Sequence, residues 1–277
     1  MGLIAVRCES CGGAVAMEAG QEEPRCLFCG MEALVEAELP EAVEPPESWI
    51  PFQLDEAGAA EAFRRFARSS IWYPGDLREA RLELRPLLLP AWIWSGSIET
   101  HWAALVRAAT RSGKRPLTGR ERLTLAGILV PASSTLSRAE LAAISPFQTG
   151  QERPFRPENL PHPYELGGLT RSAARAAARE AMRSQHREQI RTAQAALVLR
   201  GSCLFEDLSG RPLLLPVYVG AFRYKGDLHR IVINGQSGRL SGEAPVSWWR
   251  ILGAALAVLA ILSTLVGILS LVQALGR

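Results

Sequence analysis

The longest hydrophobic pattern in the chain is its last. Ile251 to Leu275 runs 25 residues without a charged side chain. As a helix rising about 1.5 Å per residue it covers roughly 37 Å, more than the roughly 30 Å hydrocarbon core of a bilayer. Trp248 and Trp249 stand at its start, where amphipathic rings favour the headgroup layer, and Arg250 and Arg277 bracket it. The other reading, a buried helix of a soluble core, suits the run poorly, because core helices rarely run this long without a polar face. The pattern predicts one transmembrane helix over 248–275. Only Gly276 and Arg277 follow it, so the expected arrangement is a tail anchor.

Shorter periods divide the segment before it. Ala59, Ala62, Phe63 and Phe66 share one helical face behind Asp55, a capping residue. Trp72-Tyr-Pro-Gly-Asp76 carries turn chemistry. Leu123–Val130 reads as a strand, and Ser137-Arg-Ala-Glu140 as a capping box for a short helix through Ile144. A long helix is expected from about Thr170 to Ala195, then a strand over Ala196–Phe205. His229–Ile233, Asn234-Gly-Gln-Ser-Gly238 and Arg239-Leu240 read as a hairpin built on an Asn-Gly turn. Together these predict an α+β body, a mixed antiparallel sheet with helices, over 49–247.

A repeat lies inside that body. Arg85-Pro-Leu-Leu-Leu-Pro90 recurs as Arg211-Pro-Leu-Leu-Leu-Pro216, and each copy leads into an alternating aromatic strand. Two related β-units are one reading; chance likeness of a leucine-rich hexamer is the other. The prolines predict that these strands lie at edges, ends or bulges.

Four of the five cysteines form one pattern at the other end of the chain. Cys8-Glu-Ser-Cys11 is answered, 14 residues on, by Cys26-Leu-Phe-Cys29. Two such pairs can close a tetrahedral four-thiolate site around one Zn²⁺, with Gly12 and Gly30 turning the chain back past the sulfurs. Short strands are expected over Ala14–Met17 and Ala33–Val35. The prediction is a zinc ribbon over 1–40 with Cys8, Cys11, Cys26 and Cys29 as ligands and a structural metal. A segment this small needs a metal to fold. A redox Cys-x-x-Cys pair is the rival, but such pairs sit singly at a helix N-terminus. Cys203 is left over and reads as a small core residue.

Charge then refines the picture. Residues 1–47 hold ten Glu and two Arg, a balance of −8; the other 29 basic and 18 acidic residues give +11. The acidic head repels a phosphate backbone, which disfavours nucleic acid as its partner and favours a protein. The basic body would be drawn to anionic headgroups. Glu41–Ser48, acidic and proline-rich, reads as a semi-stiff linker. Arginines at 171, 175, 179, 183, 187 and 191 wind round the long helix; they read either as a solvated face or as a surface for anionic lipid or an acidic partner. Met1–Arg7 lacks the charged n-region and apolar h-region of a signal peptide, so residues 1–247 are expected in the cytoplasm. Gly253, Ala257, Ala260, Thr264 and Gly267 form a small-residue stripe that would let two membrane helices approach.

No catalytic set emerges. The four histidines are scattered, Asp55, Asp76, Asp207 and Asp227 read as caps and turns, and Gly-Gln-Ser-Gly lacks the spacing of a nucleophile elbow.

Several blocks carry a resemblance: the two cysteine pairs, Ile50-Pro-Phe52, Leu89-Pro-Ala-Trp92 and Ser145-Pro-Phe147. The most specific is the last, through Leu214-Leu-Pro-Val-Tyr218, Tyr224-Lys-Gly226, Val232-Ile-Asn-Gly-Gln-Ser-Gly238, Gly242-Glu-Ala-Pro245 and Ser247-Trp-Trp249. In these the chain resembles bacterial membrane-anchored zinc-ribbon proteins, some of them labelled after the zinc region of the primosomal protein N′ helicase. It has no G-x-x-x-x-G-K-[ST] loop, so helicase action is not expected. What the resemblance implies is a non-enzymatic adaptor at the inner membrane, in envelope stress, recruiting a phage-shock-type scaffold protein. The runner-up is a membrane-tethered nucleic-acid binder using the basic body.

Overall fold

The computed structural model describes residues 3–10, 13–18, 25–26, 28, 31–32, 34–36, 44–80, 82–109, 113–225, 227–243 and 245–275. In chain order the elements are β1 (Leu3–Cys8), β2 (Ala14–Glu18), β3 (Leu34–Glu36), β4 (Ser48–Trp49), α1 (Glu56–Ala67), β5 (Leu82–Arg107), β6 (Lys114–Pro131), α2 (Arg138–Ile144), β7 (Arg153–Pro154), β8 (Tyr164–Glu165), α3 (Arg171–Ala193), β9 (Ala196–Tyr224), β10 (Asp227–Asn234), β11 (Leu240–Gly242) and α4 (Trp248–Leu275). The architecture is α+β: one mixed sheet and four α-helices among the described residues, the last of them the apolar C-terminal helix. The main path of the sheet runs β11-β10-β9-β5-β8-β2-β1-β3.

The two hexamer copies lie side by side. β5 and β9 pair antiparallel along nearly their whole length, and Leu89 faces Leu215. Pairing is symmetric about that point: Leu88 faces Pro216, Pro90 faces Leu214, and Trp92 faces Pro212. The copies are thus related by a local two-fold axis through the centre of the sheet. This differs from the edge placement that the prolines predict, and the hydrogen bonds show why. In a strand the N–H and C=O of one residue point to the same side, and residues two apart share it. The Pro90 carbonyl accepts from Ala132 N at 3.0 Å, and the Pro216 carbonyl from Gly235 N at 2.9 Å. The Pro212 carbonyl accepts from Glu47 N at 2.9 Å. These proline nitrogens therefore face away from the β5–β9 ladder, at the ends of the flanking strands, where no donor is required.

Each half of the body is built from pieces of the other. β4 pairs parallel to β9, with Trp49 opposite Leu214; β8 pairs parallel to β5, with Tyr164 opposite Leu88. Six residues after Trp49 comes the α1 cap Asp55, and six after Tyr164 the α3 cap Thr170. The Asp55 carboxylate accepts from Gly58 N at 2.8 Å, as expected for that cap. Then the aromatics interlock. Tyr218 Oη donates to the Leu54 carbonyl at 2.8 Å, and Trp92 Nε1 to the Leu169 carbonyl at 3.2 Å. Trp92 and Tyr218 stand at the same place after the two repeats, and Leu54 and Leu169 each precede a helix cap. Ala59 of α1 and Ala174 of α3, again equivalent, are fully buried. α1 packs on Tyr218, Phe222, Ile231 and Ile233, and α3 on Trp92, Trp94 and Val130.

The sequence pattern underestimates the strands. The two expected pieces at 123–130 and 196–205 are parts of an 18-residue β6 and a 29-residue β9. Gly210 and Pro212 look like breaks but are not. The Gly210 position is needed by a ring: a Cβ there would come within 2.2 Å of the Trp94 indole. Beyond Ser95 the strands bulge, with Gly127 at φ 74° and Asp207 at φ 52°, and continue as a three-stranded arm. α3 covers one face of that arm through Met182, His186 and Ile190. Of its arginine stripe, Arg179 and Arg183 lie over the Phe205 ring and Arg187 donates to the Leu199 carbonyl at 3.1 Å, so these side chains clamp the helix to β9. The capping box of α2 is present, Ser137 with Glu140.

Two variants test this interlock. Tyr218→Phe leaves the Leu54 carbonyl without its donor and should cost about 1 kcal/mol. Gly210→Val drives a side chain into Trp94 and should cost about 2–3 kcal/mol. Thermal or urea unfolding of the full chain in detergent, compared with the unaltered protein, measures both.

Candidate metal centre and its surroundings

The head forms a small antiparallel sheet, β2-β1-β3, as a ribbon requires. β2 and β3 fall on the two expected strands, except that Ala33 lies outside the described residues; β1 carried no strand signal of its own. Of the four predicted ligands the structure describes two. Cys8 closes β1, and its N–H donates to the Gly13 carbonyl at 2.9 Å. Cys26 N donates to the Met31 carbonyl at 2.8 Å. Both bonds span the same number of residues, so Cys8 and Cys26 are held through their N–H groups in the same way. The Phe28 N–H points at Cys26 Sγ at 3.4 Å, a contact that favours a thiolate. Both cysteines are buried in one apolar cluster with Val15, Phe28 and Leu136. Cys11 and Cys29, with Gly12 and Gly30, lie outside the described residues. What is described fits a thiolate site: buried cysteines with matched backbone hydrogen bonds.

The head is joined to the body. β2 pairs antiparallel with β8, Val15 opposite Glu165 and Ala16 opposite Tyr164, and Leu166 N donates to the Ala14 carbonyl at 2.9 Å. Cys8, Cys26 and Phe28 share their cluster with Leu87, Leu89 and Leu215 of the central ladder. Of the expected linker, residues 41–43 lie outside the described residues. Glu44 pairs with Arg171, and Glu47 bonds the backbone of Pro212 and Phe155, so 44–47 runs along the body and is not a free spacer.

Beneath the head sits a carboxyl that the sequence did not single out. Glu165 is fully buried, and accepts from Ser134 N at 2.8 Å, Ser134 Oγ at 2.7 Å and Thr135 Oγ1 at 3.3 Å. Burial pushes its carboxyl above the usual range, more than those hydrogen bonds pull it down. The equivalent position in the other half is Ile50, also fully buried.

The turn 234–238 is the second surprise. It is a hairpin turn, closed by Asn234 N to the Arg239 carbonyl at 2.8 Å. Yet Asn234 is fully buried and acts through its side chain. Oδ1 accepts from Gln236 N at 2.8 Å and Ser237 N at 3.1 Å, while Nδ2 donates to the Ile144 and Pro146 carbonyls at 2.8 and 3.1 Å. Gln236 Oε1 accepts from Gln148 N at 2.9 Å. The turn is thus pinned to the Ser145-Pro-Phe147 segment.

The histidines do not converge. His101 sits 2.9 Å from Glu99, which also binds Arg120 at 2.7 Å; that pair holds the Glu99 carboxyl below its usual range. His186 is buried, 3.0 Å from Thr100 Oγ1, and burial pushes its imidazole down. His162 meets the edge of Phe52, and His229 stacks on Phe222. Cys203 lies 3.4 Å from Thr100 Oγ1. A groove of about 540 Å³ between β6, α2 and α3 is lined by Ile128, Val130, Leu141 and Phe147, with Arg138 and Gln185 as its charged and amide groups.

α4 leaves the body exposed: no residue from Trp248 to Leu265 is buried, and the helix is long and apolar enough to cross a membrane. The core-helix alternative therefore does not hold. Two of its hydroxyls turn inward, Ser263 and Thr264 donating to the Ala260 carbonyl at 2.9 and 2.7 Å. Comparison of the chain with protein-family models, with curated proteins and with solved structures finds no match.

Glu165 yields a pH prediction. A carboxyl whose folded pKa is raised contributes stability that is complete below its unfolded value, about 4.3. That contribution is lost as pH rises through the folded value. Glu165→Gln should therefore flatten the fall in melting temperature from acidic to neutral pH. Profiles that superimpose would show that the group is not held protonated.

Proposed function

We propose that this protein is a non-enzymatic adaptor held at the cytoplasmic face of a bacterial inner membrane by α4, with a zinc ribbon that docks a protein partner. One observation carries the reading: β11, the last strand before α4 in the chain, and β3, the outer strand of the head, stand at opposite ends of one continuous sheet path. Among the described residues β3 pairs only with β1, so its far edge is open. Val35 on that strand and Met31 beside it are exposed. An open edge with apolar side chains is the surface to which a partner strand adds.

In this reading Cys8, Cys11, Cys26 and Cys29 hold one Zn²⁺, which supplies folding energy to the head and no chemistry. Arg25 is paired with Glu32 at 3.1 Å, which leaves the head little basic surface for a phosphate backbone. The resemblance of the sequence blocks favours a phage-shock-type scaffold as the partner. Nucleic-acid binding by the basic body stays the second reading, supported by Arg107, Arg115 and Arg200, exposed on the arm.

Zinc analysis and in-cell crosslinking together test this. The purified chain should carry about one zinc, lost on Cys26→Ser. Val35→Lys should keep the metal and lose the crosslinked partner, while Leu204→Lys on the arm keeps both. Nucleic acid recovered equally from all three variants, with no protein, would move the function to the body.

A further inference from the structure

We propose that the turn between α1 and the following 3-10 helix, Ser69 to Gly75, is a second membrane contact, lying in the headgroup layer beside the start of α4. The inference rests on the reading that α4 crosses a bilayer. It goes further, because a helix alone would leave the body free to swing on its stem, whereas this contact fixes the body's orientation.

Two bonds tie the turn to the helix. Ser247 N donates to the Trp72 carbonyl at 2.9 Å, and Arg250 Nη1 donates to the Ile71 carbonyl at 2.9 Å. The guanidinium lies close over the turn: a Cβ on Gly75 would sit 3.2 Å from Arg250 Nη2. With both carbonyls turned toward the helix start, the side chains are left outward. Ile71 is 74% exposed and Trp72 39%, against 78% and 81% for Trp248 and Trp249. Three tryptophans and an isoleucine therefore form one apolar collar at the level where α4 begins. Tryptophan suits the boundary because its ring has an apolar body and a polar N–H.

Basic side chains lie around the collar, alongside the exposed acids Asp76, Glu79 and Asp227. Arg68 lines the same small pocket as Arg250. The β9–β10 turn is fastened beside it, Tyr224 Oη donating to Asp76 at 3.0 Å, and it brings exposed Arg223 and Lys225. Cations ringing an apolar patch are attracted to anionic headgroups while the patch enters the interface. The arm lies far off. Leu204 is eighteen residues from Phe222 along β9, which at about 3.3 Å per residue places it up to about 60 Å away.

Photocrosslinking tests the contact. A photoreactive phenylalanine analogue is placed, one position at a time, at Ile71, at Leu204 on the arm and at Val258 in α4. The full chain is reconstituted in vesicles of phosphatidylcholine and phosphatidylglycerol, irradiated, and read by mass spectrometry for lipid adducts. Adducts at 258 and at 71, with about tenfold less at 204, are expected. Adducts at 258 but at 71 no more than at 204 would overturn the second contact and leave the anchor standing. No adduct at 258 would overturn the anchor itself, and the inference with it.

Discussion

The structure depends on the antiparallel ladder between β5 and β9. It joins the two hexamer copies about a local two-fold axis at Leu89 and Leu215, and these strands supply eight of the eighteen buried residues of the central apolar cluster. A proline-bounded strand would normally be excluded from the middle of a sheet, because a missing N–H breaks a ladder. Here the proline nitrogens whose carbonyl partners are resolved face outward, where β6, β10 and β4 begin or end. The constraint and its solution come as a unit. The same prolines that would spoil an interior ladder set where the outer strands stop.

The two-fold axis also explains how the halves hold each other. Each helix cap is fastened by an aromatic from the opposite repeat, and each short strand pairs with the opposite long one. Neither half can be completed without the other. Asymmetry enters where function is proposed. α3 has 23 residues to the 12 of α1 and carries the arm. On one side of the axis β7 pairs with β4; at the equivalent position on the other side the head strand β2 pairs with β8. Where one half buries Ile50, the half bearing the head buries Glu165.

These asymmetries give the molecule two distinct ends. The head sheet ends the sheet path at β3, and the start of α4 is fastened next to the turn after α1. Because head and body share one apolar cluster, the described head strands pack directly on the body. A partner docked there would meet a head with a fixed relation to the body. The arginines of α3 serve the same rigidity. Arg171 binds Glu44 and the Gly210 carbonyl, and Arg179, Arg183 and Arg187 clamp the arm.

The sequence by itself determined the parts whose cause is local. A run of uncharged residues has one physical outcome as a helix, so α4 was legible, and caps such as Asp55, Ser137 and Thr170 act within one turn of themselves. The pairing of the cysteines in sequence is likewise a local property, since the spacing within each pair is set by neighbouring residues. Tertiary structure decided what depends on distant partners. The length of β5 and β9 was hidden because Gly210 and Pro212 read as breaks until Trp94 and the flanking strands account for them. Asn234 read as a turn residue, but its side chain is committed to carbonyls about ninety positions away. Burial of Glu165, and exposure of Ile71 beside α4, follow from which surfaces meet, and no neighbour in sequence specifies that.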